Sequence, residues 1–175
     1  QPLVAKMLLP LLGGAPAVWN TCMVFFPALL LLGYAYALFI SRKLSLTVQA
    51  LLHAVLMLLG FVVLPFGLSQ WILSSIPTGR SPFLWLISTL FIIVGPPFFV
   101  LSATAPLLQR WFSHSDHKAA KDPYFLYAVS NAGSMLVLLA FPLLLEPALT
   151  VRAQSRIWAF GYAALVILIM TSALV

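Results

Sequence analysis

The sequence predicts an all-α bundle of transmembrane helices, with five full spans and a partial helix at the N-terminus. Three observations predict it. First, 63% of the 175 residues are hydrophobic and 7% are charged, against roughly 25% charged in soluble domains. A soluble fold of this length has too little interior to hide so much apolar side chain. Second, the apolar residues come in blocks of about 20, the length a helix needs to cross the hydrocarbon. Third, the nine Lys and Arg lie singly or in pairs at the ends of these blocks, where topology signals are placed. The length fits a single domain over residues 1–175.

Gln1 to Leu12 is apolar apart from Gln1 and Lys6 and too short to span. It reads as the end of a helix whose start lies upstream, or as a half-helix dipping into the membrane. The first residue is not Met and the last segment is still apolar at Val175, so we expect the natural protein to extend beyond this stretch. Gly13-Gly14-Ala15-Pro16 breaks the chain. The first full span is Ala17 to Ile40, with a kink expected at Pro27. Ser41-Arg42-Lys43 reads as a polar turn. The second span runs from about Thr47 to Gly67 and holds His53 and Pro65. A loop from Ser69 to Pro82 contains Arg80, and Trp71 in it reads as an interface anchor.

The third span is Phe83 to Leu108, broken near its middle by Gly95-Pro96-Pro97. The polar stretch Gln109 to Asp122 follows, with Arg110, His114, Asp116, His117, Lys118 and Lys121. The fourth span is Pro123 to Leu145. Asp122 suits its N-cap and Pro123 its first turn. Glu146 to Arg156 reads as the last loop, and Ile157 to Val175 as the fifth span. Lys and Arg in alternate loops number five on the side of the Gln109 loop and four on the other, a small bias that places the Gln109 loop in the cytoplasm.

Composition also excludes classes of function. The formal charge of +6 is scattered, without the basic groove and interleaved aromatics of a nucleic-acid binder. The single cysteine, Cys22, excludes an internal disulfide and reads as a small packing residue. We find no nucleophile–base pair, no metal set and no pair of catalytic carboxylates, so no enzyme activity and no cofactor is expected of this chain.

The most informative segment is Asp122 to Ser134. Tyr124, Tyr127, Asn131 and Ser134 follow the 3, 4, 3 spacing of one helix face, and Ser130 borders it. In lipid such a stripe needs partners on other helices or in a cavity. It either lines a polar cavity or binds helix to helix. The second reading is favoured, because Ala128, Ala132 and Gly133 let a neighbour approach closely.

Trp19 and Asn20, with Thr21, follow the Gly-Gly-Ala-Pro break. Backbone exposed at a broken helix can coordinate a ligand; a tight turn with Trp19 in the aromatic belt is the plainer reading. His53, within a predicted span, is a potential metal or pigment ligand, but a hydrogen-bonded structural role is the better expectation. His114 and His117, with Asp116, make at most half a zinc site.

Three stretches carry a family resemblance. They are Gln1-Pro2-Leu3-Val4-Ala5-Lys6 leading through Leu9 to Cys22 and on to Gly33-Tyr34-Ala35-Tyr36-Ala37; Thr104-Ala105-Pro106-Leu107-Leu108-Gln109-Arg110-Trp111-Phe112; and Asp122 to Ser134. Together they resemble the membrane portion of bacterial spermidine-synthase-like membrane proteins, a transporter-like region fused to a synthase domain. The chain has Pro27 where that family tends to have glutamine, and Leu38 where it often has histidine. The resemblance implies a location in the bacterial inner membrane and a non-catalytic bundle acting as anchor or transport-like unit. The synthase domain of that family, with its glycine-rich loop and acidic residues, has no counterpart here, since Gly13-Gly14 follows no strand.

Polyamine binding by this chain alone is not expected. No Asp or Glu lies in the middle of a span, and a cage of Tyr34, Tyr36, Tyr124, Tyr127 and Trp19 would hold a cation only weakly without one. The alternative reading is an accessory subunit of a multi-subunit membrane complex, of electron-transfer or light-harvesting type. Both readings give the chain the same partners: membrane lipid and other membrane protein chains.

Overall fold

A computed structural model of the protein describes residues 1–12, 16–77, 82–115, 117–122 and 124–172, with the backbone alone at 17, 119 and 121. Among the described residues there are helices and turns but no strand. The helices are α1 (Pro2–Leu8), α2 (Pro16–Lys43), α3 (Leu46–Leu59), α4 (Gln70–Ser74), α5 (Phe83–Ile93), α6 (Gly95–Phe112), α7 (Tyr124–Ala140), α8 (Glu146–Ala148) and α9 (Val151–Ser172). Four stretches are long and apolar enough to cross a membrane singly: Val18–Lys43, Leu46–Val63, Tyr124–Ala148 and Val151–Ser172. The bent pair α5–α6 makes a fifth if it is one span. The chain is a multi-pass helical bundle.

The break expected at Gly95-Pro96-Pro97 is a 63° bend. It falls at Val94 (φ −122°, ψ −16°), so Gly95 and the two prolines form the first turn of α6. Proline is tolerated in a first turn, where its missing N–H would have no intrahelical partner. Pro27 sits inside the continuous α2, and Pro106 inside α6.

Helix ends depart from the sequence reading in a consistent way. Ser41-Arg42-Lys43 is the last turn of α2 rather than a loop. There Ser41 Oγ bonds back to the Leu38 carbonyl (2.9 Å), and the two cations suit the negative end of the helix dipole. Similarly, α6 continues through Gln109 to Phe112. The second span stops short of Gly67: Gly60–Val63 is a 3₁₀ turn and Leu64 is extended (ψ 147°), as expected before a proline.

The segment Glu146 to Arg156 is not a loop. After a π turn at Phe141–Leu145, α8 runs to Ala148, and α9 begins at Val151. The connection is Leu149 and Thr150. The Thr150 hydroxyl accepts from the Ala153 N–H (3.3 Å), as an N-cap does. Gln154 Nε2 donates to the Leu145 and Leu149 carbonyls (3.2 and 3.0 Å), occupying backbone acceptors that the helix end exposes. The Ser69–Pro82 loop contains α4, capped by Ser69 Oγ accepting from the Ile72 N–H (3.3 Å). Trp71 is exposed there, and Arg80 lies outside the described residues.

The bundle is organised around α6, whose most extensive partner is α2 and which also packs on α3 and α5. Leu3, Val4 and Leu8 of α1 join Phe25 and Phe26 of α2, Leu86 and Leu90 of α5, and the half-buried Trp158 of α9 in the largest core cluster. The short N-terminal helix is therefore part of the packed core. Cys22 is buried in the same cluster. A second cluster joins α3, α6 and α9 through Met57, Val100, Tyr162 and Val166.

Tyr162 closes this seam by donating its hydroxyl to the Met57 carbonyl (2.8 Å). Gly60 makes room for it: a Cβ there would lie 2.3 Å from the Tyr162 hydroxyl oxygen. Ser155 Oγ donates to the Phe66 carbonyl (2.7 Å) and ties α9 to the irregular segment after α3.

Lys6 and Glu146 join the N-terminal helix to α8 at 3.0 Å, and both side chains are over a third exposed. Exposed pairs contribute about 0.2–1 kcal/mol. Glu146→Gln is expected to shift bundle stability by less than about 1 kcal/mol when unfolding is followed by denaturant titration in micelles; a larger loss would show that the pair is shielded in the membrane.

Candidate functional site

Two polar features stand out against the apolar background, one on the outside of the bundle and one inside. The outer one is the face of α7. Asp122 Oδ1 accepts from the Tyr124 N–H (3.4 Å), in keeping with an N-cap. From Tyr124 to Ala140 no residue is buried, although the span containing this helix is long and apolar enough to cross a membrane.

Tyr124, Tyr127, Ser130, Asn131 and Ser134 are all exposed. Tyr127 meets the Tyr34 side chain of α2 as a hydrogen-bond neighbour. The Ser134 hydroxyl donates to the Ser130 carbonyl on its own helix (3.0 Å). Besides Tyr127 against Tyr34, this span meets the rest of the molecule through Phe125, which packs edge-on against Phe112 (5.6 Å, 77°), and the π-turn residue Phe141, which is packed against the largest core cluster.

The inner feature surrounds His53, which is fully buried. Its Nε2 lies 3.1 Å from Thr104 Oγ1. Thr104 uses its one hydroxyl proton on the Val100 carbonyl (2.9 Å), so it accepts from His53 and the imidazole carries its proton on Nε2. Trp111 packs at a steep angle against the imidazole (6.1 Å, 76°) and Tyr36 stacks over it (6.3 Å, 25°). Trp111 Nε1 donates to Gln49 Oε1 (3.2 Å), and Gln49 Nε2 donates to the Leu44 carbonyl (2.8 Å). A polar chain thus runs from the α2–α3 turn to the interior. His53 is hydrogen-bonded within the core.

Sequence reading singled out His53 but not Gln49, Thr104 or Trp111 as its companions. A signal was present. Gln49 and His53 are four apart on α3, and Thr104 and Trp111 seven apart on α6, spacings that put each pair on one helix face. What the sequence did not show is that these two faces meet.

Of the remaining candidates, Trp19 and Asn20 lie in the regular first turns of α2 and are exposed, while Thr21 is buried. The preceding break, residues 13–15, lies outside the described residues. Asn20 edges an apolar groove of about 410 Å³ between α2 and α5, walled by Phe25, Leu29, Phe83 and Phe91. The tyrosines do not converge on one cage: Tyr34 meets Tyr127, whereas Tyr36 faces His53 and Phe99. Trp19 is 15 residues before Tyr34 on the same helix, roughly 22 Å along its axis.

His114 Nδ1 lies 2.9 Å from the Arg110 carbonyl and His117 packs on Phe112. Among the described residues no three of His, Cys, Asp and Glu cluster as metal ligands; Asp116 lies outside them.

Fold and composition define a multi-pass helical membrane protein. No protein-family model, curated protein or solved structure matches the chain.

Proposed function

We propose that this chain is a non-catalytic membrane module that holds a larger protein or complex in the bilayer, with α7 as the helix that meets the partner. The observation that carries the reading is the exposure of Asn131, Ser130 and Tyr124 on a span with none of its helical residues buried. A carboxamide facing lipid has nothing to bond, and hydrogen bonds between membrane helices contribute about 0.6–2 kcal/mol each. Ala128, Ala132 and Gly133 lie beside it, and a Cβ at Gly133 would meet nothing within 4 Å. The chain leaves room there for another helix.

The three motif stretches support a more specific form of this proposal, in which the module is the membrane portion of a bacterial spermidine-synthase-like protein in the inner membrane. The 63° bend between α5 and α6 favours a second reading, a transport-like bundle with a hinge at Val94. Disulfide cross-links across that bend separate the two: a hinge requires the bend angle to change, whereas an anchor tolerates its being locked.

A photo-cross-linking residue at position 131, compared with one at the exposed Leu31 of α2, tests the main reading in native membranes. We expect protein adducts from position 131 and lipid adducts from position 31. Asn131→Leu should reduce recovery of the partner about fivefold or more, the loss of roughly 1 kcal/mol or more of interhelical bonding, while leaving helicity unchanged. Lipid adducts alone at position 131, with partner recovery at the wild-type level, would sink the reading.

A further inference from the structure

His53 and Tyr36 present two buried polar atoms without a partner, a ring nitrogen and a hydroxyl, on neighbouring rings. The tautomer set by Thr104 leaves His53 Nδ1 as a bare acceptor. Among the described residues nothing donates to it, and the buried Tyr36 hydroxyl has no partner either. Buried polar atoms left in this way are costly, and the bilayer offers no bulk water to relieve them.

The two rings lie side by side, with centroids 6.3 Å apart, so one small group between them can serve both atoms. A neutral group that donates to His53 Nδ1 and accepts from the Tyr36 hydroxyl meets both needs. A ketone or ester carbonyl cannot donate, and an ammonium or a carboxylate would bring an unpaired charge into the core. A neutral hydroxyl is the smallest group that does both. We propose that Tyr36 and His53 form an internal binding site for a single hydroxyl group, held between α2 and α3.

A polar-edged pocket of about 220 Å³ is walled by Leu46, Thr47, Ala50, Trp111 and Ser172. Its wall residue Trp111 is also the ring packed at a steep angle against His53. The hydroxyl can belong to water or to a membrane amphiphile, and the chemistry at the two rings is the same for both.

Solid-state NMR of the whole chain in lipid bilayers, with ¹⁵N-labelled histidine, tests the proposal. His114→Gln and His117→Gln leave the His53 signal alone in the spectrum. We expect the neutral Nε2–H tautomer, an Nδ1 resonance displaced from the free-acceptor position, and magnetisation transfer to the ring from water or lipid protons. Transfer from water identifies water as the source; transfer from lipid C–H protons, lost in deuterated lipid, identifies an amphiphile. Tyr36→Phe should lose both the displacement and the transfer, whereas Tyr162→Phe, whose hydroxyl serves the Met57 carbonyl, should retain them.

An Nδ1 resonance at the free-acceptor position in the unaltered protein overturns the site, even if the Tyr36 variant fails to fold. A displaced resonance without transfer from either source also overturns it, because Tyr36 would then bond His53 directly.

Discussion

Gly33→Leu is expected to force α2 and α6 apart and to lower bundle stability by about 1–3 kcal/mol, the usual penalty of overpacking, with a larger loss if the two helices separate. A Cβ at position 33 would overlap Ser102 Oγ, approach Ser102 Cβ at 2.9 Å and reach the Phe99 carbonyl at 3.0 Å. Ser102 cannot yield freely, since its hydroxyl donates to that same Phe99 carbonyl (2.7 Å). Membrane helices associate through close backbone approach at small residues, and here the approach occurs on the most extensive seam of the bundle. Reversible unfolding in micelles gives the measurement. Ser102→Gly added to Gly33→Ala should recover part of the stability lost by Gly33→Ala alone. Wild-type stability for the leucine variant would show that the seam is not tight.

Leu90→Ala is expected to be the next most damaging change, at about 2 kcal/mol. Leu90 is fully buried on α5, in the cluster that joins α1, α2 and α5. A residue of an unfolded span remains in lipid, so little hydrophobic transfer free energy is at stake. The lost packing contacts and the cavity remain, at about 24 cal/mol per Å³ of residual space. Leu84 is an exposed leucine on the same helix, and Leu84→Ala should leave stability within about 0.5 kcal/mol of wild type. Equal effects at the two positions would mean that α5 is not packed as described.

The sequence made the spans legible because lipid imposes one strong rule, about 20 apolar residues in a row. Gly95-Pro96-Pro97 also announced the bend at Val94 through backbone chemistry alone. Helix ends were misread wherever polarity was taken as the end of a helix. Ser41-Arg42-Lys43, Gln109–Phe112 and Arg152–Arg156 are polar and helical at once, since a helix leaving the hydrocarbon has no reason to unwind at the headgroups.

The α7 stripe could be read from spacing within one helix. Which helix it faces could not, because that depends on how separate spans are arranged. The same holds for His53, whose bond to Thr104 joins residues 51 apart.

The exposed span also bears on the energetics of assembly. Phe125 against Phe112 holds one end of Tyr124–Ala148, while Phe141 against the core and Glu146 against Lys6 hold the other. Its orientation is thus set before any partner arrives. An incoming helix meets a surface that is already ordered, so association is spared much of the conformational cost of immobilising a free segment. On the proposed reading, α7 is preorganised for recognition, and the contacts at its two ends influence binding strength without touching the partner.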